Sequence, residues 1–235
     1  MKGSIIEQFM PIWQTSPLLG EVMRWGKGFH KNNKNELQST LEHINQFCQF
    51  VDVALIMLNP FFISEKYCTL DTGLILRCAR YHDNPEGLLR RDIPNPQKRS
   101  HDDAEEYEAF MESISCLSEN VAEKLEYAFL LQFALGETFY FPEKAKKIMQ
   151  EIKNKRYDEA FVFKSLEKFE YLFFPISKIG ENPELLSQVI QEHIFDYRNY
   201  AEKIPGFREK IFTKELESWM LDYIYPHQYK LEIEI

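Results

Sequence analysis

Residues 70 to 86 read LDTGLILRCARYHDNPE. The apolar residues recur at helical spacing and predict a helix from Leu70 to Tyr81. Pro85 cannot continue that helix, because its ring would clash with the carbonyl of Tyr81. The pattern therefore places His82 and Asp83 side by side at the end of an apolar helix.

The residues after this break carry further polar groups. Asn84 is predicted to cap a new short helix, with Pro85 at its first position and Glu86 in its first turn. The segment that follows is Asp92-Ile93-Pro94-Asn95-Pro96-Gln97-Lys98. Packing alone does not explain so many metal-binding and proton-transfer groups beside a core element, and the pattern indicates a metal-dependent hydrolase.

The rest of the chain is also helical in pattern, and convincing alternating strands are absent from it. We therefore predict an all-α fold without internal repeats, and a short extended tail over Lys230–Ile235. The predicted helices besides Leu70–Tyr81 are Leu37–Leu58 (closed by Pro60), His101–Leu117, Val121–Leu135, Pro142–Ile152, Tyr157–Phe173, Glu184–Tyr200 and Gly206–Tyr223.

Composition narrows the class of protein. The 235 residues show no break in composition and predict a single domain over residues 1–235, and the net charge of −9 offers no basic excess for binding nucleic acid. No signal peptide or long apolar run is evident, so no membrane partner is expected, and the cytoplasm is the expected location. Cys48 and Cys78 fall in apolar helices and are predicted to be buried free thiols.

A second histidine lies on the helix before this stretch. His43 stands one turn before Phe47 and Cys48, so its side chain is expected to face inward. A lone inward histidine is more often a core residue that hydrogen-bonds a carbonyl. The His82-Asp83 pair on the next helix shifts the balance towards a shared metal ion.

Together these residues resemble the HD-domain phosphohydrolases, and among them the bacterial 5'-deoxynucleotidase type. The resemblance spans roughly Glu21 to Phe174 and leaves residues 176–235 uncovered. The matching residues are Arg24-Trp25, Glu42-His43, His82-Asp83, Glu86, the segment from Asp92 to Lys98, and the segment from Glu159 to Glu170.

The resemblance implies a helical bundle with a metal site between its helices and a hydrolase that removes phosphate from (deoxy)nucleoside 5'-monophosphates. It also implies a homodimer, and one divalent transition-metal ion such as Co, Mn, Zn, Fe or Ni. The residue roles that it implies are metal ligation by His43, His82, Asp83 and Glu167, proton transfer by Glu86 and Asp92, and substrate binding by Arg24, Trp25 and Lys98.

The sequence departs from the family pattern in places that touch the site. Glu167 stands where the family has a metal-binding aspartate, and the spacer Gly87–Arg91 before Asp92 is one residue longer than usual. Two alternatives therefore stay open. One is a non-catalytic relative that binds a nucleotide or a partner, and the other is an HD hydrolase of a nucleotide di- or triphosphate or of an alarmone.

Overall fold

A computed structural model describes residues 17–24, 38–65, 69–91 and 98–225. The described chain is all-α, as the sequence predicts, and its sheet consists of two short strands, β1 (Met23–Arg24) and β2 (Gln38–Ser39). The helices are α1 (Thr40–Ser64), α2 (Thr72–Tyr81), α3 (Asn84–Leu89), α4 (Ser100–Ile114), α5 (Glu119–Leu130), α6 (Glu143–Lys155), α7 (Tyr157–Glu170), α8 (Phe173–Ser177), α9 (Pro183–Lys203), α10 (Phe207–Lys210) and α11 (Lys214–Ile224), and a short 3-10 turn covers Leu131–Phe133.

The two strands fix where the first long helix begins. They pair antiparallel, with Arg24 opposite Gln38, and the amide of Thr40 then donates to the carbonyl of Val22 at 2.9 Å. This pairing explains why α1 starts at Thr40 and not at Leu37. It also holds Arg24 next to the first turn of that helix.

The chain divides into two compact units. The first comprises Met1–Val51 and Asp71–Lys164, and the second comprises Asp52–Leu70 and Ser165–Ile235. The prediction of one domain was made from composition alone, and composition does not show how contacts are distributed along a chain.

The first unit has an aromatic core behind the His82-Asp83 pair. Helix α2 packs against α5, and α3 packs against α4. The rings of Phe110 and Phe129 stack with centroids 4.1 Å apart, and Tyr81 meets Phe110 at 6.2 Å. The carboxyl end of α2 is thus anchored to the core by the residue directly before His82.

In the second unit, α9 packs against α8, α10 and α11. Phe169 meets the rings of Tyr197 and Phe207 at 5.3 and 5.9 Å. Gly206 has φ 78°, and a Cβ added there would lie 2.5 Å from the ring of Phe61. Only glycine satisfies both the left-handed backbone and this close approach.

Several predicted helix limits are wrong. Pro60 does not end α1, because the helix runs one further turn to Ser64, although proline has no amide N–H to donate within the helix. The predicted helix Gly206–Tyr223 is split into α10 and α11, because Thr213 caps a new start by accepting the amide of Leu216. The predicted tail Lys230–Ile235 lies outside the described residues.

Other limits shift by a few residues. The predicted helix Val121–Leu135 ends as an α-helix at Leu130 and tightens into the 3-10 turn, and Tyr157–Phe173 is interrupted after Glu170. Cys78 is buried as predicted, whereas Cys48 is only half-buried.

Helix α1 corrects the expectation that no apolar stretch could span a bilayer. Among the described helices, Thr40–Ser64 is long and apolar enough to do so on length and composition alone. About a third (33%) of its most apolar window is buried, and core helices pass the same test. This feature by itself is weak evidence about a membrane.

Candidate metal centre

Two helix positions bring the histidines to one place in the first unit. His43 lies in the first turns of α1, where it and Phe47, one turn later, face the core and are 1% and 0% exposed. His82 follows the last residue of α2, where its amide donates to the carbonyl of Cys78 at 2.9 Å. Asp83 precedes α3 and occupies the cap position that the sequence assigned to Asn84.

Each of the three side chains places one ligand atom close to a common point. Nε2 of His43 lies 3.4 Å from Nε2 of His82, and Oδ2 of Asp83 lies 3.3 Å and 3.2 Å from these two atoms. Histidine, cysteine, aspartate and glutamate are the residue types that could bind a metal ion. Among the described residues, these three form the one group of three or more such residues whose ligand atoms lie within 4.8 Å of one another.

The distances in this triangle suit a transition-metal ion. Sides of 3.2 to 3.4 Å put the centre of the triangle about 1.9 Å from each corner. Protein ligands hold such ions at roughly 2.0 to 2.2 Å, so the three atoms lie close enough together to be ligands of one ion. Two imidazoles and one carboxylate are also a donor set that such ions accept.

Hydrogen bonding selects the tautomer of His82. Its Nδ1 lies 3.0 Å from the carbonyl oxygen of Ala79, and a carbonyl can only accept. Nδ1 therefore carries the proton, and Nε2 keeps a lone pair that points into the triangle. A backbone carbonyl in this position is a common orienting partner for metal-binding histidines.

Aromatic rings pack against the two imidazoles and shield them from solvent. Phe47 stacks on His43 with centroids 5.8 Å apart, and Phe163 meets His82 edge-on at 5.9 Å. Burial lowers the pKa of His82 to about 4, although Asp83 works in the opposite direction. At neutral pH His82 is thus uncharged, which is the form that binds a metal ion.

Asp83 is held as an anion by its neighbours. Burial alone would raise the pKa of its carboxyl, but His82, Arg24 and His43 outweigh burial and hold that pKa well below its usual range. Nη1 of Arg24 donates to Oδ2 of Asp83 at 2.6 Å. Arg24 was predicted to bind substrate, and the structure adds this contact with a candidate metal ligand.

Glu86 lies on α3, the helix that Asp83 precedes. It lies in the first turn of that helix, three residues after Asp83, and is 8% exposed. The hydroxyl of Thr40, at the start of α1, donates to its Oε2 at 2.8 Å. The sequence analysis did not identify Thr40, which looked like an ordinary helix-start residue three positions before His43.

Lys98 and Glu106 form a second polar group nearby. Nζ of Lys98 lies 2.8 Å from Oε2 of Glu106 and 3.1 Å from Oδ1 of Asp103. Burial raises the pKa of Glu106 to about 7 against the lowering effect of Lys98, and the charge of Asp83 adds to the rise. The sequence analysis did not single out Glu106, because it sits in an acid-rich helix start where acids are expected.

Three predicted site residues remain, namely Trp25, Asp92 and Glu167. Trp25 and Asp92 lie outside the described residues. Glu167 lies on α7, is half-buried, and is not among the three residues of the cluster. Its charge is one of the causes that raise the pKa of Tyr200, after burial and Asp196.

Comparisons with protein-family models, with curated proteins and with solved structures found no match for this chain. The likeness to HD-domain phosphohydrolases therefore rests on the motifs quoted above. The all-α fold and the His43-His82-Asp83 cluster are observed independently of that likeness.

Proposed function

We propose that this protein is a metal-dependent phosphohydrolase of the HD-domain type that removes phosphate from (deoxy)nucleoside 5'-monophosphates. The observation that carries the proposal is the triangle of His43, His82 and Asp83, with ligand atoms 3.2 to 3.4 Å apart. Glu86, three residues after Asp83, supplies a buried carboxylate of the kind that hydrolysis requires.

The three residues would hold one divalent cation, with Glu167 as the predicted fourth ligand. When bound, such a cation polarises phosphoryl oxygens and lowers the pKa of coordinated water. Two of the proposed ligands have the protonation state that metal binding requires. His82 is neutral with its lone pair directed inward, and Asp83 is ionised.

Glu86 is the candidate proton acceptor. It is fixed from two sides, by the backbone of α3 and by the hydroxyl of Thr40, so its carboxylate keeps one position relative to Asp83. A general base has to stand within hydrogen-bond reach of the proton that it removes, and fixed geometry contributes as much as basicity. Asp92 is the predicted partner for the leaving 5'-oxygen.

Arg24 and Trp25 are the proposed substrate contacts on the strand side. The guanidinium of Arg24 donates through Nη1 to Asp83, and the proposed role in phosphate binding rests on the bidentate fork that an arginine presents. Trp25 is proposed to pack against the sugar or base. The assembly that we propose is a homodimer in the cytoplasm, and a light-scattering mass near 28 kDa would contradict the dimer.

A non-catalytic binding protein is the second candidate. It is favoured by the departure at position 167, where this chain has a glutamate and the family pattern has a metal-binding aspartate. Such a protein would keep the fold and bind a nucleotide or a partner through the same pocket.

One experiment separates the candidates. Purified protein should be analysed for bound metals and then tested for phosphate release from a panel of nucleoside mono-, di- and triphosphates and alarmones with Co, Mn, Zn, Fe and Ni. Stoichiometric metal with release from monophosphates supports the proposal. Release from another nucleotide class would change the substrate but keep the chemistry, and no release with any metal would favour the binding protein.

A further inference from the structure

The ammonium of Lys98 is already enclosed by carboxylates. Glu106 and Asp103 lie 2.8 and 3.1 Å from Nζ, and the side chains of Lys98 and Glu106 are 25% and 8% exposed. The ring of Phe133 lies 5.9 Å from the same nitrogen and covers it further. The ammonium of Lys98 is paired with Asp103 and shared with Glu106, so these neighbours already balance its charge and leave little for a phosphate dianion.

Arg91 makes a similar contact on the other side of residues 92–97. Its Nη2 donates to the carboxylate of Glu105 and lies 3.8 Å from Oδ1 of Asp102. Arg91, before those six residues, and Lys98, after them, therefore both form ion pairs with acidic residues in the first two turns of α4. Asp102 also accepts the backbone amide of Arg99 at 2.9 Å, which fixes the start of α4 to the incoming chain.

The plainer explanation for these acids is the helix dipole, which favours acidic residues in the first turn. It accounts for Asp102 and Asp103. It does not account for the burial of Glu106 in the second turn, because an acid that serves only the dipole needs no apolar surroundings and no lysine partner.

We propose that Lys98 is a positioning residue and not a phosphate ligand. Its ammonium ties the chain that enters α4 to Glu106 and Asp103, and so fixes one end of the segment that carries Asp92. This inference rests on the proposed function and changes the role that the family resemblance assigns to Lys98. Arg91 is the weaker second tie, because it and Glu105 are 40% and 48% exposed and solvent screens the pair.

The stabilising part of the inference is tested by a double-mutant cycle. Lys98→Met should raise the unfolding equilibrium constant by at least roughly tenfold, since it leaves Glu106 buried without its ammonium. Adding Glu106→Gln should recover a large part of that loss. Independent, additive effects of the two substitutions would overturn the inference.

The phosphate part is tested by calorimetry with inorganic phosphate on the Mn-loaded protein. We expect Lys98→Met to keep the phosphate Kd within about twofold of the parent value, and Glu106→Gln, which partly frees Lys98, to leave it unchanged. A tenfold weaker Kd in Lys98→Met, or tighter binding in Glu106→Gln, would make Lys98 a phosphate ligand.

Lys144 offers a matched control within the same unit. Its Nζ lies 2.6 Å from the carboxylate of Glu126, which is 1% exposed and also accepts the hydroxyl of Tyr107. Lys144→Met also removes the lysine partner of a buried glutamate, although Lys144 itself is 62% exposed, and should leave kcat and KM unchanged. Lys98→Met should lower kcat with little change in KM, whereas a raised KM with unchanged kcat would contradict the positioning role.

The two proposals fail separately. A parent protein that releases no phosphate and binds none would contradict the hydrolase, while the Lys98–Glu106 cycle would still decide whether the tie exists. If the parent protein releases phosphate but the effects of Lys98→Met and Glu106→Gln on unfolding are additive, only the positioning role of Lys98 is contradicted.

Discussion

The Nε2 atoms of His43 and His82 lie 3.4 Å apart, although 39 positions separate the two residues in the chain. His82 presents a lone pair at this point because its other ring nitrogen donates to Ala79. A proton on Nε2 of His43 that is donated to Asp83, or a cation, relieves the repulsion between the two nitrogen atoms. With an ionised Asp83 at the same point, the three residues could hold a metal ion.

The first prediction concerns the metal ligands. His82→Gln should weaken binding of the divalent metal by at least roughly tenfold, which is the lower end of the cost of losing even an outer orienting partner. Metal content by mass spectrometry and a competition titration would measure this. His193→Gln is the control, because His193 is also buried but lies outside the cluster. Equal losses in both variants would point to a general folding defect.

The second prediction concerns Glu86 and the residue that holds it. Glu86→Gln should lower turnover by roughly a hundredfold or more and leave metal content near the parent value, since Glu86 is a proposed base and not a ligand. Thr40→Val keeps the shape of the side chain but removes the hydroxyl, and should give a smaller loss of turnover. If Glu86→Gln changes only the melting temperature, Glu86 is a structural residue.

The same measurement distinguishes Asp92 from Glu86. Asp92→Ala should also lower turnover by roughly a hundredfold or more with metal retained. Normal turnover in this variant would remove Asp92 from the proposed mechanism and leave Glu86 as the single predicted proton-transfer group.

The third prediction concerns the stability of the metal-free protein in acid. The pKa of His82 falls from 6.5 to about 4 on folding, so the unfolded chain binds the extra proton first as the pH drops. The free energy of unfolding should therefore fall between about pH 6.5 and pH 4, by up to about 3 kcal/mol for this group.

Urea titrations with a chelator at several pH values would measure this loss. His193 contributes in the same direction, because burial lowers its pKa to about 4 as well. The share of His82 is the difference between the parent and His82→Gln. The low pKa of Asp83 acts only at more acidic pH, since it matters once an unfolded aspartate begins to protonate. Glu106, whose pKa burial raises to about 7, acts in the opposite direction over this window. Equal pH profiles for the parent and His82→Gln would therefore contradict the burial of a neutral His82.

The fourth prediction concerns Gly87, which follows the proposed base. A Cβ at this position would lie 2.9 Å from Cδ2 and 3.2 Å from the backbone nitrogen of Leu19. Gly87→Ala should destabilise the protein by about 1 to 3 kcal/mol, because the backbone of Leu19 cannot move aside easily. Gly73→Ala is the control, since its nearest neighbour would be 3.5 Å away and alanine favours a helix. A stabilised Gly87→Ala variant would contradict this contact.

The fifth prediction concerns Glu167. If it is the fourth ligand, Glu167→Ala should weaken metal binding at least tenfold, about 1.4 kcal/mol, and Glu167→Asp should preserve or raise the affinity. Titration of each variant with the same metal ion would measure both. Parent-like affinity in Glu167→Ala would show that three residues of the cluster suffice.

The sequence by itself determined the local features of this protein. The apolar spacing around Leu70–Tyr81 and the proline at 85 were enough to end a helix at His82-Asp83 and to start the next one at the neighbouring residue. These features depend on residues within one or two turns of each other, where hydrogen-bond geometry and ring sterics decide the outcome. The inward orientation of His43 followed in the same way from Phe47.

Only the tertiary structure decided which distant groups meet. No local pattern links Thr40 to Glu86 or Arg24 to Asp83, because each pair joins separate elements whose approach is set by the packing of the whole unit. The partition of the chain into two units is likewise a property of long-range contacts. The burial that keeps His82 neutral and that surrounds the Lys98–Glu106 pair arises from that packing and not from the residue types alone.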